Sequence, residues 1–472
     1  MIEKGKTICG VRPGLLFLGI ACFASWAAAA ASVANYDESK VGSFTLTDPL
    51  VLKNGQTVTT TNDWFDLRRP EILGLYEGYI YGRSPDWRNI LDHKREMDPD
   101  ALGGKALRKQ VDLEFYNYGP RNPTNDQPVT NLTLHVLLYT PAGTRKPVAT
   151  FLCLSFLPNY REVDDSNVLV YPVWNDKTDT RAMPTNIVRG DAAQAWPVAE
   201  ILARGYGIAM VDYEDIEPDL ADGTGWKYGV RSLYLQTGQT NFEADGWGAI
   251  SAWAWGASRV MDYLQTDREV DGTRVILLGH SRLGKAALWA GAQDTRFAMV
   301  IANCSGQMGA ALSHRDYGET LTSMCGRFPW WFCANFLDYS NDVSDLPVDS
   351  HMLLSLIAPR PLFLNAGSED RWGDPRGVYE AAIAATPVYH LFGEEGVITN
   401  LPPDALTNND SGSLLDSATL ESYGPPPLNK PIMHDLGFNM HDGGHAILPS
   451  DWDVFLDFAD KFLPAPAPAP AQ

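Results

Sequence analysis

The sequence predicts an α/β fold, a mostly parallel sheet covered by helices on both faces. Short unbroken apolar runs alternate with amphipathic stretches of helical length, and the apolar content is high enough to bury a large core. Of 472 residues, 45% are hydrophobic and 11% aromatic, far more apolar material than disordered or fibrous chains carry. A chain of this length can hold two or three domains of about 150 residues, but a single α/β domain with long insertions also reaches it.

Each element follows from its pattern. Residues 111–118 and 132–139 alternate apolar and polar side chains, as edge or antiparallel strands do. Residues 148–156, 208–211, 275–278, 297–302 and 361–365 are continuous apolar runs; parallel strands buried on both faces read this way. Between them helices are expected at 192–204, closing at Gly205, at 246–265 with a Trp/Met/Leu face, and at 283–292, with a last amphipathic helix at 452–463. This alternation is what a parallel sheet with helical crossovers requires. Two stretches lack periodicity, 326–350 rich in Trp, Phe and Asp, and 393–431 rich in Pro, Asn and Ser. Both are expected to be long surface loops, and loops of this kind often act as lids.

The chain ends carry their own signals. Lys4, Lys6 and Arg12 lead into an apolar run over 14–24, and the small residues 27–31 offer A-x-A cleavage options. Residues 1–31 therefore read as a secretory signal peptide, the run being shorter than the roughly 20 residues that span a bilayer. Residues 32–463 are expected to form one catalytic domain, with 464–472 a Pro/Ala tail unable to build a core. The mature protein is expected in the medium or the periplasm, as a monomer with no membrane span.

Charge and cysteine usage exclude several functions. With 37 basic and 58 acidic residues the net charge is −21, which argues against nucleic-acid and anionic-membrane partners. Cys153, Cys304, Cys325 and Cys333 remain after signal removal, too few for a disulfide scaffold and without the CxxC pairs of a zinc site. One bridge among the last three stays open.

The strongest chemical signal is Gly279-His280-Ser281-Arg282-Leu283-Gly284-Lys285, where a buried strand runs through Gly-x-Ser directly into a helix. That is the setting of a nucleophile elbow, in which a strained serine presents its hydroxyl at a helix N-terminus. The sequence departs from G-x-S-x-G because Leu283 holds the second small position and Gly284 follows one residue later. A serine hydroxyl needs a base, and the base a carboxylate. In α/β-hydrolases these follow in the order Ser, Asp or Glu, His. Asp370 lies just past the strand 361–365, with Glu369 as competitor, and His445 follows Gly443-Gly444, with His441 as competitor.

The segments Asp245-Gly-Trp-Gly-Ala-Ile-Ser-Ala-Trp-Ala-Trp-Gly256, Gly279 to Lys285 and His314-Arg-Asp-Tyr-Gly-Glu-Thr320 resemble the glucuronoyl esterases of carbohydrate esterase family 15. Arg68-Arg-Pro-Glu-Ile-Leu73, Tyr81-Gly82, Ala203-Arg-Gly-Tyr206, Asp370-Arg-Trp-Gly-Asp-Pro375 and Gly443-Gly-His445 are similar to its bacterial members. The likeness runs from about residue 64 to 463. It implies an α/β-hydrolase fold and serine catalysis, without metal or cofactor, on esters of 4-O-methyl-glucuronate, the acid that links glucuronoxylan to lignin alcohols.

By the same resemblance Ser281 attacks the ester, His445 is the base, Arg282 stabilises the oxyanion, and Lys285, Glu319 and Trp372 bind the sugar. Many relatives place the catalytic acid in a Glu-Ser-Gly context where this chain has Cys304-Ser305-Gly306. A neutral thiol cannot stabilise an imidazolium as a carboxylate does, so Asp370, a position some members use, is expected to supply the acid. The competing readings are an acetyl or feruloyl xylan esterase, for which Arg282, Lys285 and Glu319 have no purpose, and an impaired carbohydrate-binding homologue, suggested by Cys304 alone.

Overall fold

The computed structural model describes residues 34–85, 91–116, 131–144, 147–175, 177–235, 239, 241–398 and 414–464. Residues 1–31, expected to be a signal peptide, and the tail apart from Pro464 lie outside the described residues.

Nine strands form one sheet: β1 (Leu91–Asp100), β2 (Ala106–Tyr116), β3 (Asn131–Pro141), β4 (Val148–Ser155), β5 (Gly207–Asp212), β6 (Val270–His280), β7 (Met299–Asn303), β8 (Leu362–Gly367) and β9 (Leu436–His441). Their spatial order is β9-β8-β7-β6-β4-β5-β3-β2-β1. Strands β4 to β9 run parallel, and β3, β2 and β1 add on antiparallel. Every residue of β4, β5, β7, β8 and β9 is buried, which is why β4, β5, β7 and β8 read as apolar runs rather than alternating ones.

Successive side chains feed two cores. Phe151 and Cys153 of β4 and Ile276 and Leu278 of β6 pack on one face with Ile201 of α2 (Val198–Ala203) and Trp452 and Phe455 of α6 (Pro449–Phe462). Leu152, Leu154, Val275 and Leu277 pack on the other with Trp253 of α3 (Ala249–Leu264), Leu288 of α4 (Arg282–Gln293) and Ile383 of α5 (Pro375–Leu391); Ile72 of α1 (Arg69–Tyr79) joins the same core. The α/β architecture with helices on both faces is thus as the sequence predicts.

The structure departs from the sequence expectation at several places. The helix expected over 192–204 shrinks to α2 behind a single turn at Ala193–Ala195; Pro197 keeps Trp196 out of helical geometry (φ −132°, ψ 87°). Strand β1 is rich in charge because it is a sheet edge, where charged side chains discourage further pairing. Strand β9 escapes a search for apolar runs because Gly437, Asn439 and His441 interrupt it, and α5 because Pro387 lies inside it. Residues 326–350 are not a surface loop: short turns at Pro329–Trp331, Ala334–Tyr339 and Val343–Asp345 bury Trp331, Phe332, Cys333 and Phe336. In the stretch 393–431, Leu414–Asp416 pairs with Thr45–Thr47. The bridge left open among Cys304, Cys325 and Cys333 is not formed; all four remaining cysteines are free thiols.

Candidate active site

Strand β6 turns into α4 through one residue. Ser281 takes φ 58° and ψ −128°, a conformation that costs a non-glycine residue about 1–3 kcal/mol and persists only when its surroundings enforce it. Its N–H is tied to the Asn303 carbonyl at 2.9 Å. A Cβ on Gly279 would lie 2.0 Å from the Leu283 carbonyl oxygen, and one on Gly284 would lie 2.9 Å from the Ser305 Cβ. The close approaches fall two residues before and three after Ser281. Leu283 instead points into the core, which accounts for the shifted glycine.

Three of the sequence-predicted residues meet at the carboxyl ends of β6, β8 and β9, where this class of sheet gathers ligands. The Ser281 hydroxyl donates to His445 Nε2 at 2.8 Å, and His445 Nδ1 donates to Asp370 Oδ2 at 2.6 Å. Asp370 is buried in the turn after β8, whereas its competitor Glu369 is exposed. His441 is buried at the end of β9, away from Ser281: its ring nitrogens donate to Asp451 Oδ1 and the Gly444 carbonyl, each at 3.0 Å. Burial works against charge on His441, but Asp451 outweighs it and lifts the imidazole above its usual value. His441 therefore braces the loop that carries His445.

Ser281, Arg282, Lys285, Glu319, Trp372 and His445 line one cleft of about 380 Å3. The Arg282 guanidinium pairs with Asp219 and lies over the rings of Phe156 (5.6 Å) and Trp331 (5.0 Å). Asp219 is itself held by the indole N–H groups of Trp330 and Trp331 at 2.7 and 2.8 Å. Lys285 Nζ donates to the Ser305 carbonyl at 2.7 Å and lies 3.8 Å from Glu319. Burial lowers the lysine and raises the glutamate from their ordinary values. Trp372 hydrogen-bonds Glu319 and carries Arg327 over its ring at 5.1 Å.

A polar row backs the base. His280, Asn303, Asn365 and Asn439 stand in register across β6, β7, β8 and β9. Asn439 donates to Asn365 at 2.9 Å, Asn365 to Asn303 at 2.6 Å, and Asn303 to His280 Nδ1 at 2.8 Å. The His280 ring lies 4.7 Å from that of His445. Burial pushes His280 down to about 3, so it stays neutral beside the imidazole that must take up charge. Cys304 lies within the same cleft. It is buried with φ 46°, and burial pushes its thiol up to about 12.

Sequence reasoning missed Asp219, Trp331, Arg327 and His280. The Trp330-Trp331 pair in the aromatic stretch 326–350 was the available signal, but its target, Asp219, lies over a hundred residues away. A larger groove of about 890 Å3 on the β2–β3 side, lined by residues such as His135, Tyr171 and Trp174, does not contain the serine.

The sequence profile of the glucuronyl esterases of fungi matches residues 206–393. Carbohydrate esterase MZ0003, from an unknown prokaryotic organism, is 39% identical over 91% of this chain and 92% of its own length. The 4-O-methyl-glucuronoyl methylesterase of Schizophyllum commune is 27% identical, covering 80% of this chain and 81% of its own. Among solved structures, the glucuronoyl esterase from Solibacter usitatus matches with TM-score 0.78 at 41% identity, covering 90% of this chain and all of its own. A promiscuous family 15 esterase from a marine bacterial metagenome matches with TM-score 0.76 at 38% identity, over 91% of this chain and all of its own. With likeness of this degree along nearly its whole length, the chain belongs to the glucuronoyl esterases of carbohydrate esterase family 15.

Proposed function

We propose that the protein is a secreted, single-domain serine esterase that hydrolyses esters of 4-O-methyl-glucuronic or glucuronic acid, including those joining lignin alcohols to glucuronoxylan. The hydrogen-bonded series from Ser281 through His445 to Asp370, opening on a cleft lined by the cations Arg282, Lys285 and Arg327 and by the Glu319 carboxylate, is the observation that carries this reading. The names of the Solibacter and Schizophyllum relatives support the uronate. Secretion rests on the basic, apolar and small-residue pattern of residues 1–31.

Ser281 Oγ attacks the ester carbonyl as His445 Nε2 takes its proton, while Asp370 holds the ring in the Nδ1–H tautomer and offsets the imidazolium charge. The oxyanion develops at the N-terminus of α4, where Arg282 and the first-turn N–H groups meet it. His445 hands the proton to the leaving alcohol, and the glucuronoyl-Ser281 intermediate is cleared by water activated through the same imidazole. Lys285 and Glu319 hydrogen-bond the sugar hydroxyls, and Trp372 flanks the ring.

The test is hydrolysis of benzyl glucuronate, with acetyl and feruloyl esters as controls, by wild type, Ser281→Ala and Asp370→Asn. Only the uronate ester should be cleaved, and each variant should lose about 10³-fold or more of kcat. Cleavage of the acetyl or feruloyl ester in preference to the uronate overturns the substrate, and near-normal turnover by Asp370→Asn overturns the acid.

A further inference from the structure

We infer that Cys304, Asp370 and His445 form an inhibitory binding site for a soft divalent cation such as Zn²⁺ or Cd²⁺. Thiol sulfur, carboxylate oxygen and imidazole nitrogen lie within 4.8 Å of one another, and all three residues line the cleft. The ion therefore arrives by the route open to substrate. Tetrahedral zinc, with bonds of about 2.0–2.3 Å, sets its ligand atoms roughly 3.5 Å apart. To reach this spacing the 2.6 Å contact between His445 and Asp370 widens by about 1 Å, and the sulfur, within 4.8 Å of both ligand atoms, draws in to match. Water from the cleft completes the shell.

The sulfur decides the affinity. A carboxylate and an imidazole alone bind zinc weakly, and a thiolate makes the set one that soft metals prefer. On binding, the Cys304 S–H gives its proton to solvent and the sulfur bonds the metal. His445 presents the Nδ1 lone pair, so its proton moves to Nε2. No group is oxidised or reduced. The consequence for turnover follows from that tautomer: an Nε2 that carries a proton cannot accept one from Ser281, and Asp370 is turned from the imidazole to the metal. The thiol that replaces the acid found in many relatives thus exposes the enzyme to metals.

The effect on turnover rests on the esterase reading, whereas binding does not. Chelator-treated wild type and Cys304→Ala, both full-length, are titrated with Zn²⁺ during benzyl glucuronate hydrolysis, each rate normalised to its own metal-free value. In parallel both are titrated with Cd²⁺ while the ultraviolet sulfur-to-cadmium charge-transfer band is followed. Wild type should be inhibited, recover with EDTA, and show the band. The variant should need at least about tenfold more Zn²⁺ and lack the band. Equal zinc sensitivity of the two proteins, or a band of equal intensity in both, overturns the site. If wild type does not cleave the uronate at all, the band still reads the site while the functional reading falls.

Discussion

Arg282 occupies the first turn of α4, where the helix field disfavours a cation. The structure offsets that cost with the Asp219 carboxylate and the faces of Phe156 and Trp331, an arrangement more elaborate than a surface arginine needs. Arg282→Ala should lower kcat about 10²-fold or more with a smaller change in KM, the pattern of a group acting on the transition state. An equal rise in KM with kcat untouched would make it a binding residue. Lys285 should behave in the opposite way, because its ammonium contacts the cleft wall and, on the proposed function, would meet the sugar rather than the reacting atoms. Lys285→Met should chiefly raise KM for benzyl glucuronate. Since burial lowers its pKa, wild-type KM should climb at alkaline pH below the ordinary lysine range, and the variant should lack that rise.

At the scale of elements, the site depends on how strand ends are tied together. The elbow needs Gly279 because a methyl there would strike the Leu283 carbonyl, so Gly279→Ala should abolish soluble, active protein rather than tune it. The asparagine row across β7, β8 and β9 is buried, and every member that loses its partner is left with a desolvated amide. Asn365→Ala should therefore destabilise the protein by about 1–3 kcal/mol, readable in a denaturant midpoint; an unchanged midpoint would show that the row is ornamental. One segment does several jobs at once. In Asp370-Arg-Trp-Gly-Asp-Pro375, Asp370 faces His445, Trp372 lines the cleft, and Asp374 caps α5 through Gly377 N–H at 3.0 Å while binding Arg315 at 2.9 Å.

For the whole molecule, burial sets the response to pH. Glu162, enclosed between the Trp196 indole and the Leu157 N–H, is pushed up by burial to about 7 from 4.5. A raised acid holds its proton longer in the folded than in the unfolded state. Its stabilising contribution is full below pH 4.5 and is lost as pH rises through about 7. The stability advantage of wild type over Glu162→Gln should fall by about 3 kcal/mol between acid and mildly alkaline pH, followed by thermal or chemical melting. Parallel curves across that window would remove Glu162 from the account.

The local chemistry of the chain determined much of this. Unbroken apolar runs can be satisfied only by strands covered on both faces, so β4 to β8 were legible. Gly-x-Ser between a strand and a helix, followed in order by Asp370 and His445, pointed to the site because each stands at a strand end. What those signals left open was decided by contacts distant in sequence. Asp370 and Glu369 are neighbours of like chemistry, and the path of the turn after β8 buries one and exposes the other. His441 and His445 differ because Asp451 of α6 captures the first. Asp219 reaches Arg282 across 63 positions, and Cys304 comes beside Asp370 and His445 because β7, β8 and β9 are adjacent in the sheet. Local pattern specifies which residues are capable of chemistry; strand order and burial determine which of them meet.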